Sequence, residues 1–264
     1  MSLINEIEVT ELLELKEQGE TIRVIDIRQP AELSAGVITA FRLGNWETFI
    51  SYKGRKGHET QNFTDEREDA DVDSNAILAK TDYIINDDKK LTFSIDYYLQ
   101  EVDRPDDGSD KGNYFGLPGW KTNEQSSYNE KENNAYKVRY QDRDSGWAIM
   151  DNLDVNLYFN NTDQTDESLL NHDTPPPFGA GGSRDTLKND LFRQETWGLS
   201  LSAGKLLGDE RAHQLSYGFD WATTDSLRPR SEVRTHSDGT VVKDDTSAPF
   251  PKNTTERLGI YLQD

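Results

Sequence analysis

Thiol chemistry is closed to this chain, because its 264 residues include no cysteine. Cysteine nucleophiles, disulfides and cysteine-ligated metals are therefore excluded. Two acidic runs, residues 69–73 and 106–110, raise the question of calcium. The second run has Leu117 at the twelfth position, where the EF-hand pattern needs a Glu. Acidic loops are therefore the better interpretation, and carboxylate pairs in so acidic a chain carry no catalytic information.

The four histidines are the remaining candidates for a ligand site. No two of them lie close in sequence, so no spacing rule selects among them. His58, His172 and His236 fall in predicted long loops on one side of the predicted sheet. His213 falls beside a predicted short turn on the other side and is discounted. At each position the alternative is a solvated loop histidine.

The composition limits the classes of protein to which the chain can belong. The net charge is −20, from 29 basic and 49 acidic residues, so the overall field of the chain excludes nucleic acid as a partner. Hydrophobic residues make up 33%, which is low for a soluble core but suits a membrane β-barrel, where only alternate residues face lipid. Five Trp, eleven Tyr and ten Phe argue against disorder. No stretch reaches the ~18 apolar residues that a transmembrane helix needs.

From Phe41 onward, apolar residues recur at every second position, which is typical of strands with one apolar and one polar face. Polar residues stand between them. The pattern predicts about eight strands, with these apolar positions: Trp46, Ile50, Tyr52; Ile77, Ala79, Tyr83, Ile85; Leu91, Phe93, Ile95, Tyr97, Leu99; Tyr136, Val138, Tyr140; Leu153, Val155, Leu157, Phe159; Trp197, Leu199, Leu201, Ala203; Leu215, Tyr217, Phe219, Trp221; Leu258, Ile260, Leu262.

Long and short connections alternate between the predicted strands. Four long loops are expected at about 53–75, 100–134, 161–189 and 226–253, separated by short turns at about 86–88, 144–146 and 208–209. An up-and-down membrane barrel has short turns on one side and long loops on the other. The sequence therefore predicts a mainly β fold, an antiparallel up-and-down meander forming part of a transmembrane barrel. A small closed eight-stranded barrel that acts as a binding module is an alternative.

Aromatic residues near the ends of the strands are predicted to form an interfacial girdle, with a soluble core as the alternative. The residues concerned are Trp46, Tyr97, Phe159, Trp197, Trp221 and Tyr261.

Residues 1–38 have a different pattern, that of a short α/β piece. A strand at Ile7 to Val9 is followed by a helix over 11–18, and the apolar run 22–27 suits a buried strand. Pro30 is expected to open a second helical turn. The first residues have neither a basic nor an apolar region of the kind found in secretory signals, so the chain made as written is expected to stay in the cytoplasm.

Residues 39–264 resemble the β-barrel of TonB-dependent outer-membrane receptors, in particular the haem and haemoglobin receptor group. The stretches that carry the resemblance are Asn45-Trp46-Glu47-Thr48-Phe49-Ile50-Ser51-Tyr52, Gly54-Arg55-Lys56-Gly57-His58-Glu59, His213-Gln214-Leu215-Ser216-Tyr217-Gly218-Phe219-Asp220-Trp221 and Glu256-Arg257-Leu258-Gly259-Ile260-Tyr261-Leu262-Gln263-Asp264. The family has a plug domain and a barrel of 22 strands, of which this chain supplies only a part.

The resemblance implies a location in the outer membrane, haem or a haem protein as the transported ligand, membrane lipid as a partner, and passage driven by the TonB system. It implies no resident cofactor and no enzymatic activity. Since haem iron is often held by histidine, the loops around His58, His172 and His236 become the expected binding elements.

Residues 1–38 resemble part of a rhodanese-like domain. The resemblance rests on Ile7-Glu8-Val9-Thr10-Glu11-Leu12, Val24-Ile25-Asp26-Ile27-Arg28-Gln29-Pro30-Ala31-Glu32-Leu33 and Ala35-Gly36-Val37-Ile38. Val37 stands where the family has His. A rhodanese-like sulfur-relay module is thus an alternative function, but transfer through a persulfide needs a cysteine, which this chain lacks.

Overall fold

The computed structural model describes residues 32–58, 70–105, 121–174, 182–208 and 213–264. These residues form nine β-strands and no helix, so none of them provides a helix that could cross a membrane. The α/β structure predicted for residues 1–31 lies outside the described part. The strands are β1 Glu32–Leu43, β2 Trp46–His58, β3 Asp71–Ile84, β4 Lys89–Arg104, β5 Thr122–Asp142, β6 Asn152–Thr174, β7 Gly182–Leu207, β8 His213–His236 and β9 Val241–Gln263.

The nine strands form a single sheet in which each strand pairs only with its neighbours in sequence, always antiparallel. This confirms the predicted mainly β, up-and-down meander. The sheet order runs from β1 to β9 without a crossover, so these two strands are its edges. Among the described residues the sheet is therefore open, and the small closed barrel considered above is not formed.

Strand β1 replaces the helical turn predicted after Pro30. It pairs with β2 from Leu43 opposite Trp46 to Glu32 opposite Gly57, and the pairing continues without a break across residue 38. Val37 and Phe41 of β1 fall on the same face as the apolar residues of β2, and this shared apolar face favours pairing of β1 with the sheet.

The predicted long loops are mostly strand. Strand β6 continues to Thr174 and β7 begins at Gly182, whereas a loop over 161–189 was predicted. Likewise β8 and β9 are joined by only four residues, 237–240. The apolar alternation stops where the strands leave the belt, because their extensions are mainly polar on both faces, while the backbone pairing continues. The prediction of long loops at one end of the sheet was therefore wrong. The two ends of the sheet differ instead in how far the paired strands extend beyond the belt.

One face of the sheet carries a continuous apolar band, here called the belt. Strand register places its residues side by side across all nine strands, and it comprises Val37, Phe41, Leu43, Trp46, Ile50, Tyr52, Ile77, Ala79, Tyr83, Leu91, Phe93, Ile95, Tyr97, Leu99, Tyr136, Val138, Tyr140, Val155, Leu157, Phe159, Trp197, Leu199, Leu201, Phe219, Trp221, Leu258 and Ile260.

The pattern of burial is the reverse of that in a soluble protein, in which apolar side chains are buried and polar side chains are exposed. Belt residues such as Phe41 and Trp197 are half exposed, at 50% and 49%. On the opposite face Asp82 and Thr92 are buried, and the Thr92 hydroxyl donates a hydrogen bond of 2.6 Å to the Asp82 carboxylate. Crowding of polar side chains indicates that the polar face is the concave one.

Tyr261 does not belong to the predicted aromatic girdle. It is the register partner of Gly218, on the polar face, where its ring lies against that glycine. The other five aromatics lie on the belt face. Trp46 contacts Tyr83 with ring centroids 4.8 Å apart, and Phe159 contacts Trp197 at 4.6 Å. Such tilted pairs stabilise adjacent strands.

The short turns lie progressively further from the belt along the sheet. The last registered pairs are Leu43–Trp46, Ile84–Lys90, Asp142–Leu153 and Leu207–His213. The number of residues between a fixed row of the belt and the last registered pair increases from the first turn to the last, by roughly one residue per strand on average. Gly44, with φ 58°, closes the first turn, and the Asn86 side chain accepts hydrogen bonds from two backbone N–H groups in the second.

Candidate functional site

The site lies on the concave polar face, at the ends of β6, β7 and β8 that are remote from the short turns. Here the register brings His172 opposite Arg184, and Arg184 opposite His236. These three residues occupy one row across three adjacent strands and are called the histidine–arginine row. Because neighbouring strands lie ~4.8 Å apart, the two histidine backbones are separated by roughly 10 Å.

His172 is the covered member of the row, with 4% of its surface exposed, whereas His236 is half-buried. His236 starts the turn into β9, where its backbone N–H donates to the Thr240 carbonyl at 2.9 Å. Gly239, with φ 85°, allows this tight turn. The turn holds His236 at the rim of the sheet, and so it is the more accessible imidazole.

Basic side chains accumulate on the concave face below the row, although the chain as a whole is acidic. Asp190 accepts hydrogen bonds from Arg228, at 2.9 and 3.0 Å, and also from Arg230. The hydrogen bond from Arg228 is the main reason why the pKa of Asp190 lies below its usual value. Glu232 is bound by Lys243 at 2.8 Å and by Arg234, and these contacts lower its pKa in the same way.

A groove of about 620 Å³ lies beside this cluster. Side chains from β4 to β8 line it, including Arg104, Asn129, Asp166, Lys188, Asp190 and Arg230. Most of its acids are already bound to cations or amides, as Asp166 is to Asn129. The carboxylates of the groove are therefore already engaged, and the groove contains cationic side chains beside them.

Burial lowers the pKa of His172 below its ordinary value of 6.5, and the positive charges of Arg184 and Arg234 lower it further. Asp173 and Asp185 act in the opposite direction but are outweighed. The imidazole of His172 is therefore neutral at physiological pH, which is the form that ligates a metal.

The lowered pKa of His172 predicts that acid destabilises the ends of β6 and β7 around this residue. Because the folded state binds the His172 proton less tightly than the unfolded state does, its contribution is complete above pH 6.5 and is lost as the pH falls below that value. We expect amide exchange in β6 and β7 near His172 to accelerate between about pH 7.5 and about pH 5.5, after correction for the intrinsic exchange rate. His172→Gln should remove most of this change, whereas His213→Gln, at an exposed site, should retain it. An unchanged pH dependence in His172→Gln would contradict the assignment.

The structure separates the other histidines from the row. His58 ends β2, opposite Asp71, and the three strands β3, β4 and β5 separate it from His172 in β6. His213 lies at the opposite end of β8 from His236, and its Nδ1 is 3.2 Å from the Asp264 carboxylate. Of the three predicted ligand residues, the structure thus brings two together.

Other candidate sites find no support among the described residues. No group of three or more His, Asp or Glu side chains in the part of the chain described here could hold a metal ion. Of the first acidic run, Asp73 lies in β3 and forms an ion pair with Lys56 at 2.7 Å. The second run, residues 106–110, lies outside the described part.

Arg184 is the residue that the sequence analysis missed. It falls in a segment predicted to be loop, and nothing in its local spacing links it to histidines 12 and 52 residues away. Only the register of β6, β7 and β8 reveals the row, and no local signal could have found it.

Comparison with known proteins finds no protein-family model and no curated protein that matches the chain.

Proposed function

We propose that residues 39–264 are a barrel segment of an outer-membrane receptor, and that the belt faces lipid. One observation carries the proposal: belt residues such as Phe41, Ile95 and Trp197 are about half exposed, while Asp82, Thr92 and Thr186 on the polar face are buried. A soluble sheet buries its apolar face against a second layer, and the described residues contain no such layer. Lipid is the solvent in which this arrangement is favourable.

The dimensions of the belt support this proposal. A stagger of about one residue, ~3.3 Å, against a strand spacing of ~4.8 Å corresponds to a tilt of roughly 35°, within the range of closed barrels. In β4 the belt runs from Leu91 to Leu99, about 27 Å along the strand. At that tilt it spans roughly 22 Å, close to the ~25 Å height of the apolar band in transmembrane barrels.

The open edges favour a segment of a larger barrel. Strands β1 and β9 run in the same direction, because an even number of antiparallel steps separates them. Antiparallel closure of β9 onto β1 is therefore impossible, and an all-antiparallel barrel needs an odd number of further strands. The proposal assumes a whole receptor that has these further strands and a plug domain and that is driven by the TonB system.

The proposed ligand is haem or a haem protein, and the histidine–arginine row is its proposed contact. The resemblance to haem receptors supplies the ligand class, and the neutral imidazole of His172 beside the accessible His236 supplies the chemistry. Roughly 40 Å of strand separates the row from the belt residue Phe159 in β6, at the end of the sheet remote from the short turns. This distance supports contact with an extracellular ligand, since the short turns of an outer-membrane barrel face the periplasm.

The test is a haem titration of the full chain refolded in detergent micelles. We expect a Soret shift whose midpoint rises about tenfold in His236→Ala, since one axial ligand is lost, a free-energy change of ~1.4 kcal/mol. His213→Ala is the matched control, because it lies on the same strand at the opposite end, and it should bind haem as the unmodified chain does.

Equal effects of the two substitutions would show that the Soret shift comes from non-specific haem. Absence of any shift would remove haem from the proposal and leave the barrel segment to be tested by its behaviour in lipid.

A further inference from the structure

Arg184 has an unsatisfied side chain in a polar surrounding. Its Nε is buried and has no hydrogen-bond partner among the described residues. On the same face Arg228, Arg230 and Arg234 each bind a carboxylate. A buried guanidinium donor left without an acceptor destabilises the fold, because its lost hydration is not replaced.

The acids around Arg184 are not available to it. Asp190 is held by Arg228 and Arg230, and Glu232 by Arg234 and Lys243. Its chain neighbour Asp185 accepts a hydrogen bond of 2.6 Å from Asn171, and the register places both on the opposite face. No carboxylate of the described chain therefore neutralises Arg184.

The position of Arg184 indicates what its unpaired Nε–H could bind. It is the central residue of the row, with His172 on one side and His236 on the other. A planar guanidinium binds a carboxylate through two parallel hydrogen bonds, which gives both affinity and orientation.

We propose that Arg184 binds a carboxylate of the incoming ligand, so that the row takes a metalloporphyrin with free propionates. The inference rests on the proposed haem-receptor function and deepens it: the histidines contact the metal, and Arg184 contacts the acid group. It excludes esterified porphyrins as good ligands.

The first experiment compares haem with haem dimethyl ester, using the full chain in detergent micelles. The unmodified chain should bind haem about tenfold more tightly than the ester. Arg184→Gln should lose about tenfold for haem and change little for the ester. Lys137→Gln is the control, since Lys137 is exposed on the polar face of β5 and lies outside the groove and the row; it should bind both ligands as before.

The second experiment measures thermal unfolding without ligand. Arg184→Met keeps most of the side-chain volume and removes the unsatisfied guanidinium, so it should raise the melting temperature, as expected for a group retained for binding.

The outcomes separate the two proposals. Equal losses for haem and ester in Arg184→Gln, or no loss in either, would overturn the role of Arg184, as would a lower melting temperature in Arg184→Met. If the unmodified chain binds neither porphyrin but Arg184→Met is more stable, haem uptake fails and a site for another carboxylate ligand stands.

Discussion

Leu157→Arg should destabilise the chain in a lipid bilayer by about 2–4 kcal/mol, the cost of a charged residue on the lipid face of a barrel near the midplane. Leu157 lies in the middle of the belt, between Val138 and Leu199, and is 45% exposed. In lipid, its neighbours are acyl chains, and a guanidinium there has no hydrogen-bond partner. The measurement is a urea titration of the chain folded into lipid vesicles, followed by tryptophan fluorescence.

Asn160→Arg is the matched control. Asn160 is exposed, lies three residues away on the same strand, and stands in the row of Ala135 and Thr196 on the polar face. In a barrel segment that face borders the water-filled interior, so the same charge should change stability by less than about 0.5 kcal/mol.

The two substitutions together show whether the belt faces lipid or water. If the belt met water, both positions would be exposed surface, and both variants would fall within about 0.5 kcal/mol of the unmodified chain. Equal and small effects of Leu157→Arg and Asn160→Arg in vesicles would therefore rule out a lipid-facing belt.

The meander was predictable from sequence because its signal is local. Residues such as Leu91, Phe93 and Ile95 alternate with polar neighbours, and side-chain period two defines a strand with one buried or lipid-facing side. The same local signal fails beyond the belt. In β6 residues 160–168 are polar on both faces, so nothing in the pattern separates a paired strand from a loop.

The site was predictable only in part, because it depends on register rather than on pattern. His172 and His236 are 64 residues apart, and their approach follows from two successive pairings over more than 20 residues each. An error of one residue in either pairing would move a histidine to the other face. Tyr261 illustrates this sensitivity, since it is adjacent to the belt residue Ile260 and yet lies on the polar face.

Without detergent the chain should associate rather than behave as a monomer. Strand β9 exposes its whole length, with Leu258 67% and Ile260 81% exposed, and its outer edge offers a row of unpaired N–H and C=O groups. Two β9 edges related by a two-fold axis pair antiparallel, whereas β9 with β1 of another copy pairs in parallel. Edge pairing of two β9 strands is therefore the expected first contact.

Lysines on the edge strand should weaken this association. Leu258→Lys with Ile260→Lys places two charges on β9, a device by which natural edge strands avoid pairing, and should lower the association constant by roughly tenfold. Leu199→Lys with Leu201→Lys is the control: it makes two equivalent substitutions in the belt on interior strand β7, which is paired on both sides. Size-exclusion chromatography with light scattering measures the oligomeric state of each variant.

The control separates edge pairing from stacking of apolar faces. If the β7 variant dissociates as much as the β9 variant, the belt face rather than the β9 edge holds the copies together. If the unmodified chain is a monodisperse monomer with one cooperative unfolding transition in water, neither the exposed belt nor the open edges drive association, and a soluble sheet must replace the barrel segment. Because β1 and β9 run in the same direction, such a monomer would have to protect its edges without antiparallel closure.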